Sequence, residues 1–480
     1  MLKKYLGDIA FMQMLNLLIK PIWILIIDRA VQDALPLDVY GNYAALFNFS
    51  LLFFIVLDLG LNSYNTTQVS RDETRIADLT GNIIGLKIVL SFVYLILASG
   101  VGLILGYTST EFGLLAFLFL LQIITSMNQY FRSIVNALQK FKWDGVFMVL
   151  DRVLIVALCT FLLWGGIEGW ELTIERFIYA QLAGVLLVLG ALIVFLRSYW
   201  SQVDISFHIH KLVPILKKSW PFALLISLMG LFNYFDSVMI KSIRGDAEAG
   251  VYAMGYRLYY ALMMFAQIFS GVLLAFFSKN IADKTMVNKV GSYTLKLLML
   301  VGLSAAFVCM AYRVELIELL YPNKASLEAS DALSILMFGF LGSALVLVYG
   351  TLLTAALELR TLNIAGFVTL CVNVVLNLYL IPVFGAVGAA VATLVSQFTF
   401  GGICYVVSIR KFNFSIVPKT IMVQVIGVAI LFLTTVYFKQ YFTSVFVHLS
   451  VITMSIIALA YMFRLYRAKD FKSLLNKRWN

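Results

Sequence analysis

The stretch Cys371–Gln397 reads CVNVVLNLYLIPVFGAVGAAVATLVSQ and predicts two apolar helices joined by a tight turn. Pro382 cannot continue a helix, and the nearby Gly385 permits a sharp change of direction. Small residues recur at every fourth position of the second run, which lets a neighbouring backbone approach closely. We take this hairpin of apolar helices as the unit around which the rest of the chain is organised.

The hairpin carries polar side chains at matching depths. Asn373 and Asn377 are four residues apart and share one face of the first helix. Thr393 follows on the second helix, level with Asn373 for a rise of about 1.5 Å per residue. These residues either form interhelical hydrogen bonds or supply neutral oxygens to a cation site, which needs a carboxylate. Asp236 could complete such a site, and its single negative charge suits Na+ or a proton better than a divalent ion.

Composition identifies the class of protein. The chain has 480 residues, of which 62% are hydrophobic and 13% charged, and its mean hydropathy is +0.94. Soluble domains carry about 25% charged residues, so we predict an all-α polytopic membrane protein. The four cysteines lie in apolar runs without metal-ligand spacing and are expected to be buried free thiols. The N-terminus has no small-residue cleavage site, so we do not expect a removed signal peptide.

Apolar runs long enough to cross a bilayer predict about fourteen helices, each of about 20 residues. The predicted spans cover residues 9–31, 40–62, 81–105, 112–136, 145–165, 175–196, 219–243, 251–278, 290–312, 332–357, 361–381, 386–409, 420–438 and 445–463. No connection is long enough to form a separate soluble domain. Lysine and arginine concentrate on the side that holds both termini, which places the termini in the cytoplasm. The net charge of +11 is spread over short loops and gives no support for nucleic-acid binding.

An internal repeat relates the two halves of the chain. The segment from Asp28 to Gly41 resembles the segment from Asp236 to Gly250, and in each the glycine is followed by x-Tyr-Ala. This spacing predicts two six-helix lobes with a site between them. We therefore divide the chain into an N-terminal lobe (1–210), a C-terminal lobe (211–415) and a pair of helices with a basic cytoplasmic tail (416–480).

Ionisable residues at membrane depth are candidates for function because they are costly in hydrocarbon. Lys20 lies near the middle of the first helix and precedes Pro21, where we expect a bend. Asn16, Lys20 and Trp23 form a polar stripe suited to a water-filled cavity. The alternative is that Lys20 pairs with a carboxylate such as Asp58 or Asp236. We also include Asn48 among the substrate-binding residues.

A second candidate surface begins at Arg257. Beside it, at helical spacing, lie three residues suited to contact sugar rings: Tyr256, Tyr260 and Gln267. Tyr252, near the start of the helix, is instead expected in an interfacial aromatic belt. The planar guanidinium of Arg257 suits a phosphate. Five other ionisable residues lie near the predicted cytoplasmic edge, where snorkelling or ion pairing accounts for them: Asp58, Lys87, Arg132, Asp151 and Arg152.

Several motifs resemble the polysaccharide flippases of the multidrug/oligosaccharidyl-lipid/polysaccharide exporter superfamily. They are Asn377-Leu-Tyr-Leu-Ile-Pro382, Gly385-Ala-Val-Gly388-Ala-Ala-Val-Ala-Thr393, Gly250-Val-Tyr-Ala253 with Arg257, Leu57-Asp58-Leu-Gly60 and Asn136-Ala-Leu-Gln-Lys140. The resemblance covers nearly the whole chain. It implies a fold like that of the multidrug and toxin extrusion (MATE) transporters, in a bacterial inner membrane. It also implies translocation of undecaprenyl-pyrophosphate-linked oligosaccharides to the periplasmic leaflet by alternating access.

The same resemblance bears on the candidate sites. Related lipid II flippases have a cationic central cavity, and some bind Na+ at places that match Asp236, Asn373, Asn377 and Thr393. The chain departs from this pattern in two respects: Asn377 stands where a second acid can occur, and the first helices offer Lys20 rather than an arginine cluster. Ion coupling by Na+ or H+ therefore stays open.

Three functions are weighed. A lipid-linked oligosaccharide flippase, or a lipid II flippase, requires positive charge in its cavity, which Lys20 and Arg257 would supply. A cation-coupled multidrug antiporter requires acidic residues there. A membrane enzyme such as an O-antigen polymerase or ligase needs catalytic residues in a sizeable outer loop, and Arg313–Asp331 has no clear acid–base set. We favour a flippase that is not an enzyme, has no resident cofactor, acts as a monomer, and works beside a polysaccharide polymerase and a chain-length regulator.

Overall fold

The structure is a computed structural model. It describes residues 18–72, 76–166, 168–200 and 234–412, together with positions 14, 15, 214, 216, 425, 426, 429 and 433. All regular secondary structure in these residues is helical. This confirms the predicted all-α class. The predicted domain boundaries near 210 and 415 lie outside the described residues, as do the last predicted span and the basic tail, and only four positions of the span 420–438 are described.

Helices follow one another with short connections. Their bounds are α1, π-helical over Ile22–Asp28 and α-helical over Arg29–Ala34, α2 Leu37–Leu52, α3 Leu61–Arg71, α4 Ile76–Ile104, α5 Ser109–Ala137, α6 Phe141–Trp164, α7 Ile174–Phe195, α8 Asp246–Asn280, α9 Lys284–Ala311, α10 Arg313–Leu320, α11 Leu327–Leu345 and α12 Leu359–Phe412. Shorter elements are Phe54–Leu57, Arg197–Trp200, Val346–Gly350 and Thr351–Ala355. Residues 234–244 are also helical.

Eight of the described helices are long and apolar enough to cross a membrane, or nine when α2 and the bent segment after it count as one span. The chain is therefore a multi-pass membrane protein. The broken helix α12 covers two predicted spans, 361–381 and 386–409. Spans 1 and 7 are described only in part, so the total of about fourteen stays a prediction.

Several helices begin where the sequence offers a capping side chain. The Thr108 hydroxyl accepts a hydrogen bond from the backbone N–H of Glu111, and the Glu111 carboxylate accepts one from the N–H of Thr108. This capping box fixes the start of α5. Asp283 and Ser326 similarly accept a bond from the N–H three residues onward, at the starts of α9 and α11.

The predicted turn of the Cys371–Gln397 hairpin is present, and it lies at Gly385. The helix continues through Pro382 and breaks at Gly385, whose backbone angles are φ 53° and ψ −129°. A side chain on Gly385 would overlap the Glu248 carboxylate. That carboxylate accepts a hydrogen bond of 2.6 Å from the N–H of Ala386, the first donor of the continuing helix. Gly385 is therefore required both by its left-handed backbone and by its carboxylate neighbour.

The second predicted span is broken at the Asp58-Leu-Gly60 motif. The segments Leu37–Leu52 and Phe54–Ser70 meet at an angle of 45°, and Leu59 and Gly60 have positive φ angles of 42° and 79°. Asp58 accepts hydrogen bonds from the backbone N–H groups of Gly60 and Asn62, both at 3.2 Å. These bonds cap the helix that begins at Leu61, so the break is built into the sequence.

The buried Lys87 of α4 stabilises this break. Its ammonium donates to the Leu57 carbonyl at 2.9 Å and to the Ser126 hydroxyl at 2.7 Å, and lies 3.6 Å from the Asp58 carboxylate. The Ser126 hydroxyl also donates to the Leu57 carbonyl. The Leu57 carbonyl, which has lost its helical hydrogen bond at the break, thus accepts hydrogen bonds from side chains instead. The bilayer requires this, because it contains no water to supply them. Pairing therefore accounts for Lys87 and Asp58, as expected.

The chain separates into two compact units. The first comprises Met1–Ala253 and the hairpin segment Asn377–Ala386, and the second comprises Met254–Leu376 and Val387–Asn480. In the first unit a large apolar core includes Phe49, Tyr94 and Phe177, all fully buried. In the second, buried side chains of α9 and α11 pack together, with a small cluster at Leu300 and Leu303.

One expectation about the cysteines is wrong. Cys159, Cys309 and Cys404 are buried and free, but Cys371 is exposed on the surface of α12. The buried face of that helix carries the asparagines instead, with Asn373 and Asn377 both at 0% exposure. In a membrane protein an apolar surface can face lipid, so an apolar run does not by itself identify which residues are buried.

Candidate functional site

Three basic residues of the first unit form what we call the cationic cluster: Lys20, Arg132 and Arg152. Arg132 pairs with Asp144 at 2.8 Å, and Arg152 lies 3.7 Å from Asp151. Within the part of the chain that the structure describes, Lys20 forms no ion pair. The positive charges of Arg152 and Arg132 act on Lys20, and Asp151 supplies the opposing charge. Three cations and two carboxylates leave a surplus of one positive charge.

Trp23 lies beside this cluster. The Arg152 guanidinium sits over the Trp23 ring at 5.4 Å from its centroid, and the same ring stacks on Phe177 with ring centroids 5.9 Å apart. Lys20 and Trp23 flank Pro21, after which the backbone is π-helical over Ile22–Asp28. The irregularity expected at Pro21 therefore takes the form of widened helical turns.

The cluster combines contacts between residues that are close in sequence with contacts between residues that are far apart in sequence. Arg132 and Asp144 lie on α5 and α6, which are joined by a connection of only a few residues, so their pairing follows from local chain reversal. The contact of Arg152 with Trp23 joins two residues far apart in sequence. The predicted ion pairing of Arg132 and Arg152 is confirmed. Their grouping with Lys20 was not predicted.

The alternative partners of Lys20 are engaged elsewhere. Asp58 pairs with Lys87, as described above, and Asp236 accepts hydrogen bonds from Tyr252 and Asn377. The interpretation of Lys20 as the partner of either carboxylate is therefore wrong for this structure. Of the remaining predicted residues of this region, Asn48 is half-buried on α2. Asn16 lies outside the described residues.

A second polar group surrounds Asp236, which is 4% exposed. Its Oδ1 accepts a hydrogen bond of 2.7 Å from the Asn377 amide nitrogen, and its Oδ2 accepts one of 3.2 Å from the Tyr252 hydroxyl. The predicted association of Asp236 with Asn377 is present in the first unit. Tyr252 is 3% exposed, so its expected place in an interfacial belt is wrong.

The other predicted residues lie in the second unit. Asn373 and Thr393 are buried on α12, at 0% and 3% exposure, and Arg257 is buried on α8. Tyr256 stacks on Tyr260, with ring centroids 6.2 Å apart. Tyr260 and Gln267 are exposed. The roles assigned to these residues stay predictions.

The bond between Tyr252 and Asp236 was not predicted from the sequence. In the corresponding segment of the repeat the Tyr40 hydroxyl donates to Asp28 at 3.0 Å, but the repeat aligns Tyr252 with Tyr43 rather than with Tyr40. A buried tyrosine needs a partner for its hydroxyl, and a buried carboxylate needs donors. The repeat by itself would therefore not have identified Tyr252 as the donor to Asp236.

The sequence was compared with families of known proteins. The family described as "Polysaccharide biosynthesis protein" matches residues 6–281, more than half of the chain. The chain belongs to this family. Its assignment to the polysaccharide branch of the exporter superfamily is thereby confirmed.

Other relatives of this polysaccharide biosynthesis protein support the fold. An uncharacterised membrane protein of Methanocaldococcus jannaschii is 27% identical over 335 residues, which is 66% of the chain and 76% of the relative. The solved structure of the lipid II flippase MurJ in an inward closed conformation matches with a TM-score of 0.74 at 15% identity, over 96% of the chain and 98% of MurJ. An inward-facing MATE multidrug transporter matches with a TM-score of 0.67 at 14% identity, over 85% and 98%. The predicted MATE-like fold is confirmed.

Proposed function

We propose that this protein is a flippase for undecaprenyl-pyrophosphate-linked oligosaccharides in surface polysaccharide biosynthesis. The observation that carries the proposal is the cationic cluster of the first unit, in a chain of the polysaccharide biosynthesis family with a transporter fold. The protein acts by alternating access and moves its substrate from the cytoplasmic to the periplasmic leaflet of the inner membrane. Both termini are cytoplasmic, on the charge bias of the loops.

The chemistry of the cluster suits a pyrophosphate. Arg132 and Arg152 already have carboxylate partners, whereas Lys20 has none among the described residues, so Lys20 is the cation with capacity to bind an anion. A cation at membrane depth is costly and is retained where it serves a ligand. The adjoining Trp23, whose ring is held by Arg152 and Phe177, is proposed to line the substrate path beside the cluster. Arg257 and the Tyr256–Tyr260 stack are proposed to contribute a second such surface.

The charge of the cluster opposes a multidrug antiporter function. Such a transporter binds organic cations, and three basic residues would repel them. A membrane enzyme is also disfavoured, since the solved structures that share the fold are a flippase and a transporter. We propose that the protein functions as a monomer and hands its substrate to a polysaccharide polymerase and a chain-length regulator.

Transport of labelled substrate tests the proposal. Purified protein in liposomes should make a fluorescent polyprenyl-pyrophosphate-linked oligosaccharide accessible in the opposite leaflet. Lys20→Ala should lower the rate at least tenfold, because the free positive charge is lost, and Lys20→Arg should restore most of it. Lys142→Ala, which removes the same charge from an exposed position at the start of α6, is the matched control and should transport normally.

Two results would overturn the proposal. One is full transport by the Lys20→Ala, Arg257→Ala double variant, provided that it purifies as a folded protein. The other is transport of cationic dyes by the wild type, with no transport of the saccharide lipid. The first result would show that transport does not need the assigned anion-binding residues. The second would show that the protein is a multidrug antiporter.

We further propose that Asp236 binds a monovalent cation or a proton during transport. Asn377 now turns its amide nitrogen to the carboxylate, so a cation at Asp236 requires this amide to turn its oxygen inward. Asn373 and Thr393 are the remaining proposed oxygen donors. Thermal stability should rise with Na+ concentration in the wild type, in the usual mass-action form, and this rise should vanish in Asp236→Asn. Thr393→Val should weaken it less. A wild type that does not respond to Na+ leaves the proton, or no ion, as the coupling species.

A further inference from the structure

The two glycines that the repeat aligns, Gly41 and Gly250, lie against each other in the first unit. A side chain on Gly41 would overlap the backbone around Asp246 and Gly250, and one on Gly250 would come within 2.6 Å of the Leu37 carbonyl oxygen. Both positions are fully buried. Only residues without a side chain allow two helices to approach this closely, as in other membrane proteins. We call this packing the glycine contact.

Polar bonds surround the glycine contact. The Gln32 amide nitrogen donates to the Gly250 carbonyl at 3.1 Å. The Lys241 ammonium lies 2.5 Å from carboxylate oxygens of both Glu111 and Asp246, and donates to the Asn42 side chain at 3.1 Å. These bonds tie residues of α1, α2 and α5 to Lys241 on the preceding helical segment and to the first turns of α8. The charge bias of the sequence assigns this end of the unit to the outside of the cell.

Tyr252 joins the glycine contact to Asp236. It lies two residues after Gly250 on α8, and its hydroxyl donates to the Asp236 carboxylate at 3.2 Å. Both side chains are buried. A tyrosine has only two side-chain torsions, so holding its hydroxyl also holds the backbone from which it extends. The position of Gly250 is therefore linked to the hydrogen bonding of a carboxylate on the preceding helix.

We propose that Tyr252 is a positioning residue that keeps the glycine contact closed while its hydroxyl is bonded to Asp236. Loss of that bond frees the start of α8 to separate from Leu37 and Gly41. A hydrogen bond to a charged group contributes enough to shift such an equilibrium about tenfold to a hundredfold. The proposal rests on the proposed function in one respect only: a cation that occupies Asp236 would compete with the Tyr252 hydroxyl for the carboxylate, and so favour opening.

Thiol labelling of the purified protein tests this without any substrate. The four native cysteines are replaced, and Leu37→Cys, which lies against Gly250, is the single reporter. The rate of its reaction with a maleimide should rise about tenfold or more in Tyr252→Phe, which loses one oxygen atom. Asp236→Ala should raise it similarly. The double variant should react no faster than Asp236→Ala alone, because that variant already lacks the bond that Tyr252→Phe removes.

Tyr259→Phe is the matched control. Tyr259 lies on the same helix, is equally buried, and shares a hydrogen bond of 3.0 Å with Ser343 in the second unit. Removing its hydroxyl should leave the labelling rate unchanged. An unchanged rate in Tyr252→Phe, an equal increase in Tyr259→Phe, or independent effects of Tyr252→Phe and Asp236→Ala would each overturn the proposal. Since no saccharide lipid is present, a failure of the transport assay would leave this result intact, and the reverse also holds.

Discussion

Replacement of Lys87 by methionine should destabilise the protein strongly, because this lysine holds the break in the second span. Lys87 is 2% exposed, and its ammonium contacts Leu57, Ser126 and Asp58. Methionine has a similar length and preserves the packing of the side chain, so the variant isolates the loss of the charge. Removing one member of a buried ion pair costs about 3–5 kcal/mol, mainly because the other charge is left without a partner.

The structure places the expected cost of Lys87→Met at the lower end of that range, about 3 kcal/mol. Asp58 keeps two backbone donors, at Gly60 and Asn62, and its side chain is 12% exposed. The Leu57 carbonyl likewise keeps its bond from Ser126, so it does not become an unsatisfied polar group. The remaining penalty is the stranded carboxylate.

Unfolding in mixed micelles with increasing sodium dodecyl sulfate, followed by tryptophan fluorescence, measures this cost. The double variant Lys87→Met, Asp58→Asn should recover at least about 1 kcal/mol of it, because the uncompensated charge is gone. A matched control is Lys296→Met, which removes a less buried lysine of α9 and should have a small effect. A cost below about 1 kcal/mol for Lys87→Met, or additive effects in the double variant, would refute the assigned role.

Three further predictions concern the hairpin, a surface ion pair and the topology. Gly385→Ala should lower the melting temperature sharply, because alanine disfavours φ 53° and would displace the carboxylate that caps the continuing helix; unchanged melting would show that the turn can relax. The hydrogen bond from Lys411 holds the pKa of Glu358 below its ordinary value of 4.5, so this pair stabilises the protein above that pH and ceases to do so as the pH falls further. Glu358→Gln should remove this acid-dependent part of the stability, and an identical pH profile would contradict it. Cysteine labelling from outside cells should reach Ser326→Cys and miss Ser201→Cys, whereas the reverse pattern would invert the topology.

Much of the fold could be predicted because its signals are local. Long apolar runs identify membrane helices from composition alone, since a bilayer admits few alternatives to them. The break at Gly385 followed from one glycine near a proline, and the family followed from the order of several short motifs. The capping side chains at Thr108, Asp283 and Ser326 act within one helical turn, so the sequence contains all that is needed to find them.

The candidate site was only partly predictable. Lys20 and Asp236 were identified because a charge at membrane depth is conspicuous whatever surrounds it. Apart from Asn377, their neighbours were not identified, because hydropathy shows that a residue lies in a span without showing which face meets protein and which meets lipid. For this reason Cys371 was expected to be buried and Tyr252 was expected at the membrane interface.

The sequence by itself determined the class of the protein, the places of most described helices, its family and the charged residues that need an explanation. Only the tertiary structure decided which of these residues are partners. Gly41 with Gly250, Arg152 with Trp23, and Lys241 with Glu111 each join positions more than a hundred residues apart. Such contacts depend on how whole helices pack, and helix packing is fixed by many weak interactions along two surfaces rather than by the residues at one point of contact.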